Sequence, residues 1–356
     1  MEFLNQPIQI NQMELKNRLV MPPMATAKSA PDGMVTKPLC DYYDEKSAGG
    51  DIGLIITEHS YVSPEGKASM GQLSIAEDAA VEGLRRLTGV IHRNGSRVFA
   101  QINHAGAAAT REVTGCEVIG ASAVRLPNGK GELPREMDEA DIADVVGAFA
   151  KAAERAKLAG FDGVEIHSAH SYLLNQFYSP LTNRRGDAYG GNSLPGRIRL
   201  HLEVIRAVRE AVGTDYPVAL RLGACDYMEG GSTIEDSVWA AREFEKAGID
   251  LIDISGGLCG YLNPASREEG YFGEISEAVK KAVSIPVILT GGIVTPQAAE
   301  RLLEQGKADL IGVGRAILKD SEWARRAIRR NQVRSGSWGT SCGRMSTGRD
   351  AGNWKD

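Results

Sequence analysis

Residues 159–170 read Ala-Gly-Phe-Asp-Gly-Val-Glu-Ile-His-Ser-Ala-His. Glycine in a left-handed conformation ends a helix, and a strand can start two or three residues later. Within the run that follows, Val164 and Ile166 alternate with Glu165 and His167, the period of a strand. The opening phrase recurs twice. Ala247-Gly248-Ile249-Asp250 leads into one β-rich run, and Gln305-Gly306-Lys307-Ala308-Asp309 leads into another.

Outward from these echoes, strand-like runs lie at 18–25, 52–62, 97–106, 163–170, 217–224, 251–257, 286–293 and 310–318. Amphipathic helical stretches separate them, among them 138–159, 194–212, 233–247 and 295–304. Thr233 with Asp236 has the spacing of a capping box, and Thr295 precedes Pro296 at a first helical position. Alternation of this kind predicts an α/β fold with a parallel sheet, and eight repeats predict closure into a single (β/α)8 TIM barrel. A doubly wound sheet would carry a Gly-rich turn after its first strand, and none is present. An N-terminal β-hairpin and two long loops, 113–137 after the third strand and 179–193 after the fourth, complete the expected architecture. The barrel is assigned to residues 1–332 and an irregular tail to 333–356.

With 42% hydrophobic and 24% charged residues, the chain has a globular composition and enough length for one large core. Cys40, Cys116, Cys225, Cys259 and Cys342 are scattered and odd in number, which argues against a disulfide framework and fits a cytoplasmic, reducing setting. The first residues lack the pattern of a signal peptide, and no apolar run is long enough for a membrane span. A net charge of −5 gives no basic footprint for nucleic acid.

Strand parity locates the chemistry. Gln101 and Asn103, Glu165 and His167, and Arg221 occupy the polar parity of three strands and are expected to point into the barrel. Buried polar groups there need partners, which are either one another or a ligand. For Arg221 the candidate partners are a carboxylate such as Glu165 or a ligand that gains negative charge. His167, His170 and Tyr172 form the densest constellation, two imidazoles and a phenol within six residues. They suit electrophilic assistance plus proton donation; the plain alternative is histidines satisfying backbone carbonyls. No His-Glu-x-x-His pattern is present, and no metal site is expected. Gly291 and Gly292 follow the seventh strand, and Gly314 and Arg315 follow the eighth. Loops at that place in a barrel frequently bind phosphate.

Taken together, these motifs resemble the old yellow enzyme family of flavin oxidoreductases. The resemblance covers residues 1–332 and rests on Lys16-Asn17-Arg18-Leu19-Val20-Met21-Pro22-Pro23-Met24, on Gln101 with His104-Ala105-Gly106, on His167 through Leu174, and on Asn183 through Gly191. It implies an FMN-dependent ene-reductase that uses NADH or NADPH to reduce the activated C=C bond of unsaturated carbonyl compounds, by ping-pong hydride transfer. FMN would be bound non-covalently. Pro23, Met24 and Ala25 would lie against its ring with His59 nearby, Gln101 on the pyrimidine edge, Arg221 near the N1/C2 carbonyl, and Gly291, Gly292, Gly314 and Arg315 on the phosphate. His167 and His170 would hold the substrate carbonyl, and Tyr172 would protonate the α-carbon. The partner is a small molecule, and homo-oligomer formation is compatible with the resemblance.

Ala25 stands where many relatives carry a Thr or Cys that hydrogen-bonds the flavin, which implies different redox tuning; Ala27 and Ala108 stand where one subgroup has a pocket-lining tyrosine and lysine, which implies a wider or more apolar pocket. The start Pro22 to Thr26 is similar to that of larger 2-enoate and 2,4-dienoyl-CoA reductases, which carry an iron–sulfur segment. Here Cys342 stands alone and Met345 replaces the next thiolate, so no cluster is expected. Competing readings are a dihydroorotate- or dihydrouridine-type FMN barrel, and a non-redox barrel enzyme acting on a phosphorylated substrate.

Overall fold

The computed structural model describes residues 1–329. The expected tail, with Cys342 and Met345, lies outside the described residues. Eight parallel strands form the sheet: Leu19–Met21, Leu54–Ile56, Arg97–Asn103, Gly163–Ser168, Val218–Gly223, Leu251–Ser255, Val287–Leu289 and Leu310–Gly312. Each pairs with the next in chain order. The eighth returns to the first through Ile311↔Leu19 and Gly312↔Val20, so the barrel closes as expected. An antiparallel hairpin, Ile8–Ile10 with Met13–Leu15, precedes it.

Local chemistry explains the helix boundaries. Asp138 caps the helix Glu139–Leu158 with a reciprocal bond to Asp141. Thr233 and Asp236 do the same for Ile234–Ala247. Thr295 caps Pro296–Glu304, with the proline where its missing N–H costs nothing. The helix Leu194–Val212 runs over the full expected span.

Two expectations need correction. The second run splits into Leu54–Ile56 and a short Ser60–Tyr61 strand that pairs with Ile102 and Asn103. The eighth ends at Gly312, and Arg315–Lys319 is helical, because Ala316 and Ile317 supply the buried face of a turn rather than a strand. The expected long loop after the third strand is present; the helix Arg111–Thr114 opens it, and it carries a two-stranded sheet, Ile119–Gly120 with Arg135–Glu136.

Two apolar layers result from strand parity. Val98, Ala100, Ile102, Val164, Ile166, Leu220 and Leu222 pack outward into the cluster shared with the helices. Val20, Leu54, Ile56, Phe99, Ala219, Leu251, Ile288 and Leu310 point inward. Ile10, Met13 and Leu15 of the hairpin join this inner set and seal the N-terminal end of the barrel.

The repeated Gly–Asp phrase also acquires a structural role. Gly160, Gly248 and Gly306 have φ of 85°, 112° and 70°, the left-handed helix stops expected. The aspartates that follow bind the preceding strand: Asp162 accepts from Val98 N at 2.9 Å, Asp250 from Val218 N at 2.9 Å and Asp309 from Val287 N at 3.0 Å. Each thereby satisfies the first free N–H of a strand and fixes its register.

Candidate active site

The C-terminal strand ends gather the polar residues. Gln101, Glu165, Arg221 and Asp253 are buried on the inner parity of the third to sixth strands. Gln101 Nε2 donates to Glu165 Oε1 at 2.8 Å. Arg221 Nε lies 3.2 Å from Asp253 Oδ2, close enough for charge pairing but misaligned for a hydrogen bond. Its nearest carboxylate is therefore Asp253, not the Glu165 that parity first offers. Burial raises the carboxyls of both Glu165 and Asp253 above the usual range, and the neighbouring Asp253 adds to the rise at Glu165. One cation facing two carboxyls in a low-dielectric core favours a proton on the pair.

Above this layer sits the aromatic cluster. His167 has its ring centre 5.1 Å from that of His170 and 5.1 Å from that of Tyr172, both edge-on. His59, on the loop after the second strand, lies 5.4 Å from Tyr172 and 6.4 Å from His167. Burial pushes His167 and His170 well below the ordinary histidine range, with the Arg221 charge acting in the same direction. Burial likewise pushes the Tyr172 phenol up to about 12, so it keeps its proton.

The turn carrying these groups is strained. His170 and Ser171 have φ of 60° and 68°, unusual for residues with a Cβ. Surrounding bonds hold it: Ser171 N donates to Asn175 Oδ1 at 2.8 Å, and Asn128 Nδ2, from the long loop after the third strand, donates to Ser171 Oγ at 3.0 Å. His170 Nε2 meets Ser255 Oγ at 2.7 Å. Strain held in this way at a turn is a mark of functional sites.

The last two loops complete the mouth. Gly291 and Gly292 have φ of 123° and 68°, and a Cβ on Gly292 would meet the Tyr271 ring at 2.6 Å. Arg315 Nη2 donates loosely to Tyr271 OH at 3.4 Å, so Tyr271 bridges the two phosphate-loop candidates. A Cβ on Gly314 would meet Met24 Sδ at 2.9 Å, which brings the first and eighth strand ends together. Pro23 and Met24 are half-buried there and Ala25 is exposed.

Asp253, Ser255, Asn128 and Gln72 join the site in addition to the residues expected from the motifs. Asp253 and Ser255 share the inner parity of Leu251, a signal the alternation with Ile252 and Ile254 carries. No sequence pattern marks Gln72 or Asn128.

This donor set fits a flavin nucleotide. Gln101 Oε1, His167 Nδ1 and Arg221 Nε are buried with no hydrogen-bond partner among the described residues. An unpaired buried polar atom is costly. An acceptor and an imidazole from adjacent strands therefore await a polar ligand beside the Arg221 guanidinium, whose Nε faces Asp253, while glycines line the last two loops. A family profile described as NADH:flavin oxidoreductase / NADH oxidase family matches residues 3–332. The chain belongs to this family. FMN is its cofactor, and membership selects the flavin reading over a non-redox barrel.

Relatives agree. The chain is 41% identical over 333 residues to an NADH oxidase of Thermoanaerobacter brockii, covering 91% of this chain and 51% of that protein. It is 39% identical over 320 residues to an NADPH dehydrogenase of Geobacillus thermodenitrificans, covering 89% and 91%. A solved old yellow enzyme homologue from Zymomonas mobilis superposes with a TM-score of 0.81 at 26% identity, covering 92% of each chain. A 2-naphthoyl-CoA reductase complexed with 2-naphthoyl-CoA superposes at 0.87 with 28% identity, covering 92% of this chain and 52% of that one. The chain thus spans about half the length of two of these relatives and nearly all of the other two.

Proposed function

We propose that this family member is an ene-reductase acting on the C=C bond of unsaturated carbonyl compounds. The observation that carries the reading is the convergence of His167, His170 and Tyr172, the His167 ring centre 5.1 Å from each of the other two, above buried Gln101 and Arg221. Gln101 and Arg221 would hold the pyrimidine edge of FMN. Met24 with Pro23 and Ala25 would line its ring, and Gly291, Gly292, Gly314 and Arg315 would receive its phosphate. Once bound, FMN supplies a hydride taken from NAD(P)H.

The chain's own residues supply the rest. His167 and His170 are uncharged, so each offers one N–H to a carbonyl oxygen without forming an ion pair with it. As the C=C bond is reduced, that oxygen gains negative charge, and donors already in place stabilise it more than they stabilise the substrate. Each such donor contributes about 3–4 kcal/mol. Tyr172, its phenol protonated at neutral pH, releases its proton to the α-carbon. Burial beneath the loops keeps water from competing for that step.

The likeness to the naphthoyl-CoA reductase extends the substrate panel to unsaturated thioesters, whose carbonyl would meet the same two imidazoles. The test is anaerobic. NADH or NADPH should bleach the visible flavin band of the purified protein, and cyclohexenone or an enoyl thioester should restore it with formation of the saturated product. Recovery with oxygen alone, and with none of the unsaturated compounds, would replace this reading with that of an oxidase.

A further inference from the structure

We propose that His59 is a third hydrogen-bond donor of the mouth, locked in its Nε2–H tautomer by Gln72, and that it selects substrates bearing a second oxygen acceptor. This inference rests on the ene-reductase reading and names a substrate class within it.

The lock follows from donor and acceptor chemistry. Ala68 N–H donates to the buried side-chain oxygen of Gln72 at 2.6 Å. A backbone N–H can only donate, so the amide oxygen must face it, and the amide nitrogen must face the other way. That nitrogen lies 2.6 Å from His59 Nδ1 and 3.2 Å from the His59 carbonyl. An amide N–H can only donate, so Nδ1 must accept. A neutral imidazole with an accepting Nδ1 carries its proton on Nε2. The charged form would set one donor against another, and burial pushes His59 down to about 4.

The Nε2–H has no partner among the described residues, while the ring sits 5.4 Å from Tyr172 and 6.4 Å from His167. Tyr172, Ala68 and Ala108 pack on a small buried apolar cluster of Ala105, Ala109 and Val118, which offers no polar side chain on that side. A substrate oxygen placed beside Tyr172 would find His59 as its donor, a contact that a substrate without that oxygen cannot make. Sites built to bond a polar group reject the analogue lacking it. The matching group is an acceptor oxygen, and a second carbonyl supplies one while keeping the C=C bond activated. The class is the ene-diones, with His167 and His170 on one carbonyl and His59 on the other.

Isophorone and ketoisophorone differ by one carbonyl and suit the test. In the flavin-loaded enzyme the ratio of kcat/KM for ketoisophorone over isophorone should fall about tenfold in His59→Phe, which keeps an aromatic ring but no donor. Gln72→Glu, which sets an acceptor against Nδ1 and moves the proton there, should lower the same ratio. If His59 merely packs against Tyr172, both substrates suffer alike and the ratio holds. Turnover of both compounds at an unchanged ratio overturns this proposal alone; turnover of neither overturns the ene-reductase reading with it. Imidazole nitrogen NMR gives an answer independent of activity. The signal lost in His59→Phe should report a protonated Nε2 and a bare Nδ1 in the wild type, and the opposite tautomer or an imidazolium rejects the lock.

Discussion

His170 Nε2 and Ser255 Oγ stand 2.7 Å apart, tying the turn after the fourth strand to the end of the sixth. For His170 to present an N–H to a carbonyl, its proton must sit on Nδ1, so the serine hydroxyl must donate to Nε2. Ser255→Ala removes this control. Its kcat/KM for an unsaturated carbonyl should fall about tenfold, while the rate of flavin reduction by NAD(P)H changes less; equal losses in both half-reactions would refute the assigned role.

Tyr172→Phe retains the ring and deletes the proton. Flavin bleaching by NAD(P)H should survive, and enone turnover should drop by about 10²–10⁴. Stopped-flow measurement of the two half-reactions separates these effects. Unimpaired enone reduction would assign the proton to another donor.

Glu165 and Asp253 should respond unequally to neutralisation. Glu165 is held protonated at neutral pH by burial and by Asp253, so Glu165→Gln removes little charge and should cost under about 1 kcal/mol. Asp253→Asn leaves the Arg221 guanidinium without its partner and should cost about 3–5 kcal/mol. Denaturant unfolding at neutral pH gives both values, and a reversed order would show that Glu165 is the ionised partner.

Gly292→Ala tests the phosphate loop. The backbone there has φ of 68°, and the new Cβ would strike the Tyr271 ring. Left-handed geometry alone costs about 1–2 kcal/mol for a residue with a Cβ. The variant should purify with less flavin, as read from the ratio of visible to ultraviolet absorbance. Full flavin content would place the phosphate elsewhere.

Glu58 sets a pH dependence. Burial raises this carboxyl from 4.5 to about 7, against a bond donated by Thr26 Oγ1 at 2.6 Å. The folded state therefore holds a proton that the unfolded chain has released between those values, so stability falls as pH rises through that window. The loss is at most about 3 kcal/mol. Glu58→Gln should flatten the slope of melting temperature over this range, and an identical slope in the variant would assign the effect to other groups.

Much of this was legible in the chain because it depends on period. Alternation of Val164 and Ile166 with Glu165 and His167 places two residues inside the barrel with no tertiary knowledge, and Gly160 and Gly248 mark helix ends by their missing side chains. The alternation of Leu251, Asp253 and Ser255 carries the same information about the sixth strand. Contacts between loops carry no period. Gln72 reaches His59 and Asn128 reaches Ser171 only because the barrel brings separate loops to one rim. The pull of Asp162, Asp250 and Asp309 on neighbouring strand starts is likewise invisible until adjacent strands are known. Apolar Ala316 and Ile317 extend the pattern of the eighth strand past its true end, since short buried runs suit a helical turn equally well.

The hairpin residues Ile10, Met13 and Leu15, packed on the inward Phe99 and Leu251, make the barrel a cul-de-sac. On the ping-pong reading proposed above, reductant and oxidant would then use the one open rim in turn, so a surplus of either should slow the very turnover it feeds.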